Sequence, residues 1–201
     1  MIATFFKHGS NTVLVAAIVV LAALFAVRAL AFWWVPALIG AIVFFTTEYT
    51  THRFFFHAKP VKTAWVNKLQ HRLHYDHHID PPKLELLFLP LWFVIPVTAL
   101  YYGAYVLVVR DAVQAVSFAF GAICALTYYE WVHYVAHVPF TPVTPFGKYI
   151  KKYHLWHHFK NEHFWYGVTN PTMDYVGFTY RDVEAVERST TVREIWKGMD
   201  A

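Results

Sequence analysis

The stretch "LLFLPLWFVIPVTALYYGAYVLVV", residues 86–109, runs for 24 residues without a charge. About 20 helical residues cross a hydrocarbon core of about 30 Å, so this stretch is long enough to span a membrane. Three further runs resemble it. Val13–Val27 is apolar and resumes after Arg28 through Val35; Val35–Phe45 leads into Thr46, Thr47 and Glu48; Ala112–Tyr129 has no charge before Glu130. Only 15% of the 201 residues are charged and 57% are hydrophobic, whereas soluble domains carry about a quarter charged residues. A soluble domain of this size could not hide four such helices from water.

The basic residues orient the runs. Arg28 and Arg110 occupy the turns within the first and second pair of runs. The other fifteen lie before the first run (Lys7), between the second and third (Arg53, Lys59, Lys62, Lys68, Arg72, Lys83), or after the fourth (Lys148, Lys151, Lys152, Lys160, Arg181, Arg188, Arg193, Lys197). The positive-inside rule places these fifteen in the cytosol. The sequence therefore predicts an all-α integral membrane protein with four transmembrane helices arranged as two hairpins. Their approximate bounds are 12–34, 35–57, 86–109 and 112–137, with both termini and the segments 58–85 and 138–201 cytosolic, all in one domain of residues 1–201. The net charge of +4 then suits anionic lipid and gives no sign of nucleic-acid binding. Lys7, the run 13–27 and "ALA" at 29–31 mimic a secretory signal peptide, but Arg28 and the Phe32-Trp33-Trp34 belt favour a true span. Cys124, alone in the fourth run, can form no disulfide within the chain and is expected to pack. "PFTPVTPF" (139–146) is a stiff turn after the fourth span.

Twelve of the 13 histidines fall at the cytosolic ends of spans two and four or in the segments that follow them; His8 stands apart. Four spacings recur: His52 and His57 in "HRFFFH", His74, His77 and His78 in "HYDHH", His133 and His137 in "HYVAH", and His154, His157 and His158 in "HLWHH". Residues three or four apart share a helix face, so His133 and His137 point the same way. The last two histidines of each H-x2-H-H are about 100° apart and can serve two neighbouring metals. His52 and His57, about 140° apart on a regular helix, converge only at a helix end or across a bulge. Neutral imidazole suits zinc, copper, iron and nickel, and ten imidazoles divide most simply between two ions of five ligands each. His71 and His163 fit no motif as well and are expected to be neighbours of the site.

Other metal chemistries fail on spacing. H-E-x-x-H and C-x-x-C are absent, "HFKNEH" (158–163) has one residue too many for H-x-x-E-H, and the glutamate ligand sets of soluble di-iron bundles are missing. A membrane metal transporter or sensor would place ligands near the midplane, yet the outer halves of the spans carry no histidine.

The four motifs, in this order, resemble the membrane fatty acid hydroxylase superfamily, which includes sterol desaturases and carotenoid hydroxylases. "HHIDPPKLELLFLP" (77–90), "YYEWVHYVAH" (128–137), "YHLWHHFKN" (153–161) and "GVTNPTMDYVGFT" (167–179) are most similar to the fatty acid 2-hydroxylase, or sphingolipid α-hydroxylase, branch. The resemblance covers roughly residues 44–180. It implies that His52, His57, His74, His77, His78, His133, His137, His154, His157 and His158 hold two iron ions, with zinc able to replace iron on purification. It also implies an O2-dependent monooxygenase that hydroxylates C2 of a fatty acyl chain, free or in ceramide. A carotenoid or sterol hydroxylase or desaturase is the sister reading. Eukaryotic α-hydroxylases of this branch carry a fused cytochrome b5 domain; here the expected donor is a separate electron-transfer protein of the cytochrome b5 or ferredoxin type. The family's usual ending resembles V-F-G-T, whereas this chain reads Val176-Gly177-Phe178-Thr179.

Two further groups of residues are candidates. Trp156, Phe164, Trp165 and Tyr166 interleave the last histidines and either line an apolar substrate tunnel or anchor at the membrane interface. Glu48 and Glu130 precede His52 and His133 by about one helical turn, which predicts them as acceptors for the second N–H of those imidazoles.

Overall fold

A computed structural model describes residues 1–193; Lys197, counted above among the basic residues, lies outside them. The described residues are helical or irregular and contain no strand. In chain order the helices are α1 (Ile2–Phe6), α2 (Gly9–Ala26), α3 (Trp34–Thr51), α4 (Ala64–Gln70), α5 (Asp76–Ile79), α6 (Leu84–Leu87), α7 (Leu91–Val109), α8 (Ala112–His137), α9 (Pro145–Phe159) and α10 (Thr172–Val176). Two π-helical turns, His52–Phe56 and His71–Tyr75, follow α3 and α4, and a 3₁₀ turn covers Val183–Ala185.

The chain divides into two units, Met1–Thr46 with Leu89–Glu130, and Thr47–Phe88 with the described residues from Trp131 onward. The first unit is the apolar one. Gly9–Ala26, Leu84–Val109 and Ala112–His137 are long and apolar enough to cross a membrane. Four such helices were expected. The fourth candidate, α3, is as long as α2 at 18 residues, but its last six, residues 46–51, are polar and include Glu48. The first span was expected to reach residue 34, but α2 ends at Ala26 and residues 27–33 form a turn with Arg28 in the left-handed region (φ 58°). The third, expected from residue 86, lies within the candidate span Leu84–Val109, which is interrupted between α6 and α7 at Pro90, whose missing N–H suits the position before a helix. Arg110, also left-handed (φ 62°), closes α7, and Asp111 Oδ1 accepts from the Val113 and Gln114 N–H groups (both 2.9 Å) to open α8. α3 and α8 touch backbone to backbone: a Cβ at Gly40 would lie 2.0 Å from the Phe118 carbonyl oxygen, and one at Gly121 1.8 Å from that of Ala37. Small residues allow this approach where lipid provides no hydrophobic drive for association.

The second unit holds every motif histidine. The helical part of α8 beyond Glu130 ends on carbonyls that Lys151 satisfies: its Nζ donates to Val135, Val138 and Phe140 (2.9, 2.7 and 2.9 Å). The proline-rich turn then leads to α9, with Thr144 accepting from the Gly147 N–H (3.0 Å) and Pro145 at the first helical position. Tyr153 of α9, Trp165 and Val186 form a buried core, bordered by Tyr149, Trp156, Phe164, Tyr180 and Val183. Buried Gln70 donates to the Phe55 carbonyl (2.9 Å) and the Tyr75 hydroxyl to that of Ala58, which ties the second π turn to the end of the first.

Candidate metal centre

The five-residue spacing of His52 and His57 is resolved by the first π turn. The His57 N–H bonds to the His52 carbonyl (3.1 Å), an i→i+5 closure that widens the turn and brings both imidazoles to one side. The second π turn carries His74 and hands over to α5, which carries His77 and His78. α8 presents His133 and His137, and α9 presents His154, His157 and His158.

These ten histidines form two groups of five. His52, His57, His74, His78 and His157 make the first; His77, His133, His137, His154 and His158 make the second. In each group one nitrogen per ring lies within 4.8 Å of those of the others. Each H-x2-H-H is split between the groups as the 100° offset of its last two members requires. The groups abut, with the His78 and His158 rings stacked at 4.1 Å.

The donor chemistry fits a cation. In the first group, His52 Nδ1 donates to the Tyr166 carbonyl (2.5 Å), His157 Nδ1 to that of Phe164 (2.8 Å) and His78 Nδ1 to that of Val192 (3.2 Å). A neutral imidazole has one N–H, so Nε2 of each of these three rings is a bare lone pair. Yet Nε2 of His52 lies 3.1 Å from that of His74, which lies 2.8 Å from that of His57, which lies 3.1 Å from that of His157. Two donors at most face five inward nitrogens. In the second group Nε2 of His133 and His77 meet at 3.1 Å, and those of His154 and His137 at 3.0 Å. Nε2 of His78 and both nitrogens of His158 are buried without a hydrogen-bond partner among the described residues. Such convergence of lone pairs is the donor arrangement a metal ion satisfies.

Burial, followed by repulsion from neighbouring imidazoles, drives the pKa of His74, His78, His154, His157 and His158 well below the ordinary histidine value. His77 is pushed down to about 3, again chiefly by burial. Both causes favour the neutral ring, the form that coordinates a metal.

The surroundings of Glu48 correct one expectation. Glu48 does not accept from His52. One of its oxygens takes the Val168 and Thr169 N–H groups (2.8 and 3.0 Å) and the other the Thr169 hydroxyl (2.6 Å). Three donors from one loop outcompete a single imidazole N–H, and the Tyr166 carbonyl on that same loop serves His52 instead. Glu130 Oε1 is taken by the Leu89 N–H (3.0 Å).

The four aromatics do not share one setting. Trp165 is fully buried, its Nε1–H donating to the Arg181 carbonyl (2.9 Å), and Trp156 and Phe164 pack on it at 5.8 and 5.9 Å. Only Tyr166 faces the imidazoles, with its ring 5.6, 5.2 and 5.3 Å from those of His52, His57 and His157. Its backbone is fixed by Asp174, a residue the sequence did not single out. Buried Asp174 accepts from the N–H groups of Tyr166 (2.8 Å) and Gly167 (2.7 Å) and from the Thr179 hydroxyl (2.7 Å). Thr179 in turn meets the Tyr49 hydroxyl (2.8 Å), which accepts from Arg53 (2.7 Å). The reversed Gly-Phe order at 177–178 belongs to this lattice. A Cβ at Gly177 would lie 2.0 Å from the Tyr49 hydroxyl, while the left-handed conformation falls on exposed Phe178 (φ 59°).

His71 and His163 lie outside both groups, paired with Asp76 (2.9 Å) and near Glu162 (3.4 Å).

The family profile of fatty acid hydroxylases matches residues 37–179. The chain is 32% identical over 152 residues to the dihydroceramide fatty acyl 2-hydroxylase FAH2 of Arabidopsis thaliana, covering 75% of this chain and 62% of that protein. It is 34% identical over 153 residues to the ceramide very long chain fatty acid hydroxylase SCS7 of Saccharomyces cerevisiae, covering 73% of this chain and 38% of that one. It also resembles the solved structure of full-length scs7p, in which only the hydroxylase domain is visible. There the TM-score is 0.72 at 26% identity, over 89% of this chain and 66% of the other. The chain thus spans less than two thirds of the length of each of these relatives.

Proposed function

The chain belongs to the fatty acid hydroxylase family, and from that membership we propose that it is an O2-dependent di-iron monooxygenase hydroxylating C2 of a fatty acyl chain, free or in a ceramide-type lipid. The observation that carries the reading is the pair of five-imidazole groups, each with convergent lone pairs, in a chain whose relatives are named as a dihydroceramide fatty acyl 2-hydroxylase and a ceramide very long chain fatty acid hydroxylase. One oxygen atom of O2 enters the C–H bond; the other leaves as water, with two electrons and two protons supplied from outside. Bound iron supplies the O2 activation that no side-chain acid or base can perform on an inert C–H bond.

The chain's own groups hold and orient. His52, His57, His74, His78 and His157 hold one ion; His77, His133, His137, His154 and His158 hold the other. The carbonyls of Tyr166, Phe164 and Val192 keep the protons of His52, His157 and His78 on Nδ1, so that Nε2 stays free to coordinate. The Tyr166 ring covers the first group and limits access of water to it.

Electrons come from an electron-transfer protein of the cytochrome b5 or ferredoxin type. The membrane arrangement is two hairpins, α2 with α3 and α7 with α8, with the imidazoles and both termini on the cytosolic side. A tag at Arg110 is expected to label from outside the membrane and one at Lys83 only from the cytosol; the reverse would overturn the orientation.

The deciding experiment is iron-replete expression followed by metal analysis and lipid mass spectrometry. The reading requires two ions per chain and acyl lipids that gain one oxygen atom at C2, dependent on O2. Fewer than two ions would sink the di-metal site. A hydroxylated sterol or carotenoid with unchanged acyl lipids would move the protein to a sister branch.

A further inference from the structure

Beyond its ten imidazoles, the second unit contains a buried carboxylate that the chemistry above leaves without a role. Glu162 lies in the loop after α9 and is fully buried. Burying a carboxylate is costly unless hydrogen bonds compensate it. Glu162 Oε1 accepts from the hydroxyls of Ser189 (3.0 Å) and Thr191 (2.5 Å), and His163 Nε2 lies 3.4 Å from the same oxygen. The Ser189 oxygen also accepts from the Thr191 N–H (3.1 Å).

The neighbours of Glu162 grip the same stretch. The Lys160 carbonyl accepts from the Ser189 N–H (2.7 Å), Lys160 Nζ donates to the Val183 carbonyl, and Asn161 Nδ2 donates to that of Glu187 (3.2 Å). One residue beyond Thr191, the carbonyl of buried Val192 receives His78 Nδ1 (3.2 Å). One residue further, Arg193 donates to the Ile79 carbonyl (3.1 Å) and lies over the Phe159 ring (5.2 Å). Residues 183–193 thus start at the loop that follows His154, His157 and His158 and end at the turn that follows His74, His77 and His78.

We propose that residues 183–193 form a strap joining the two H-x2-H-H motifs, anchored by Glu162, and that Glu162 acts through Thr191 and Val192 as the positioning residue for His78. The inference rests on the metal reading above. The Val192 carbonyl keeps the His78 proton on Nδ1 and so keeps the Nε2 lone pair directed at the first group. Freed of the anchor, the carbonyl shifts, the tautomer is no longer fixed, and the first group loses a ligand while the second keeps all five.

The test uses the full chain in detergent, with the binding of each of the two ions measured by chelator competition. Glu162→Ala is expected to weaken one ion by about 10–100-fold, the usual cost of losing such support, and to leave the other unchanged. Glu162→Gln keeps the Oε1 acceptor and should restore wild-type retention, which a requirement for bulk charge would not. Tryptic cleavage at Arg188, inside the strap, should accelerate in Glu162→Ala and not in Glu162→Gln. If Glu162→Ala does not fold, the paired change Ser189→Ala with Thr191→Val removes the same hydrogen bonds from partly exposed positions and should give the same selective loss. Two ions held as tightly as in wild type, by Glu162→Ala or by the paired variant, would overturn the strap alone. Wild-type protein holding fewer than two ions would overturn the metal reading and the strap with it.

Discussion

The first imidazole group takes His52, His57 and His74 from π-helical backbone or its edge, whereas the second takes four of its five members from the regular helices α8 and α9. The outer nitrogens differ less sharply, since Nδ1 of His57 in the first group also has no hydrogen-bond partner among the described residues. His52, His78 and His157 each donate Nδ1 to a carbonyl of an irregular segment. Nδ1 of His77, His154 and His158 has no hydrogen-bond partner of that kind among the described residues. A regular helix aims a pair of rings by its i, i+4 geometry alone, as with His133 and His137 or His154 and His158. Irregular backbone aims nothing by itself and needs outside support. On the proposed metal reading, the first group is therefore the one whose ion depends on outside support: Glu48 and Asp174 through the loop of residues 166–169 and, on the strap proposal, Glu162.

The largest effect comes from removing a ring. His57 Nε2 lies 2.8 and 3.1 Å from those of His74 and His157. His57→Ala should bring the chain from two ions to one and abolish hydroxylation, and His158→Ala should do the same through the other group. The comparison breaks if either variant loses both ions or neither, because the two groups would then not be separate sites.

Next comes Asp174→Ala. It strands the Tyr166 and Gly167 N–H groups, and an unsatisfied buried donor costs about 1–3 kcal/mol. The melting temperature should fall, and the ion of the first group should be lost preferentially, since the Tyr166 carbonyl serves His52. Equal weakening of both ions would make Asp174 a general fold residue with no bias toward the first group.

The same contrast explains what could be read from the chain. Apolar runs announced the helices of the first unit, and Arg28 and Arg110 their turns. The end of α2 at Ala26 was invisible, because nothing in "AVRALAFWW" forbids another helical turn. The two i, i+4 pairs of the second group are written in the spacing of the histidines. The convergence of His52 and His57 was legible only as a need for a bulge, which the π turn meets. The carbonyls of Tyr166, Phe164 and Val192 left no trace, since any residue offers the same oxygen. Asp174 and Glu162 were single acids in ordinary surroundings. Glu48 was read by its distance along the helix, a rule that overlooks competition from the three donors of residues 168–169.

Glu48→Gln sharpens that last point. Glutamine keeps one acceptor for the loop and loses the charge, so the loop should loosen without detaching. The ion of the first group is expected to weaken by about tenfold, at the low end of such indirect effects, with the other ion unaffected. Chelator competition on both ions measures it. An effect confined to the second group would contradict the path from Glu48 through the loop to His52.

The smallest effects belong to the two histidines outside both groups. His71 opens the second π turn, three residues before His74, and its Nδ1 meets Asp76 at 2.9 Å with both side chains 40% exposed. Such an exposed pair contributes about 0.2–1 kcal/mol at most, and alanine is the better helix former at that position. His163 is 56% exposed beside Glu162, whose two hydroxyl partners hold without it. His71→Ala and His163→Ala should each hold two ions, retain hydroxylation and change stability by no more than about 0.5 kcal/mol, the usual range for surface substitutions. Loss of an ion in His71→Ala would show that the second π turn supplies a sixth imidazole, and the division into two fives would have to be redrawn around it.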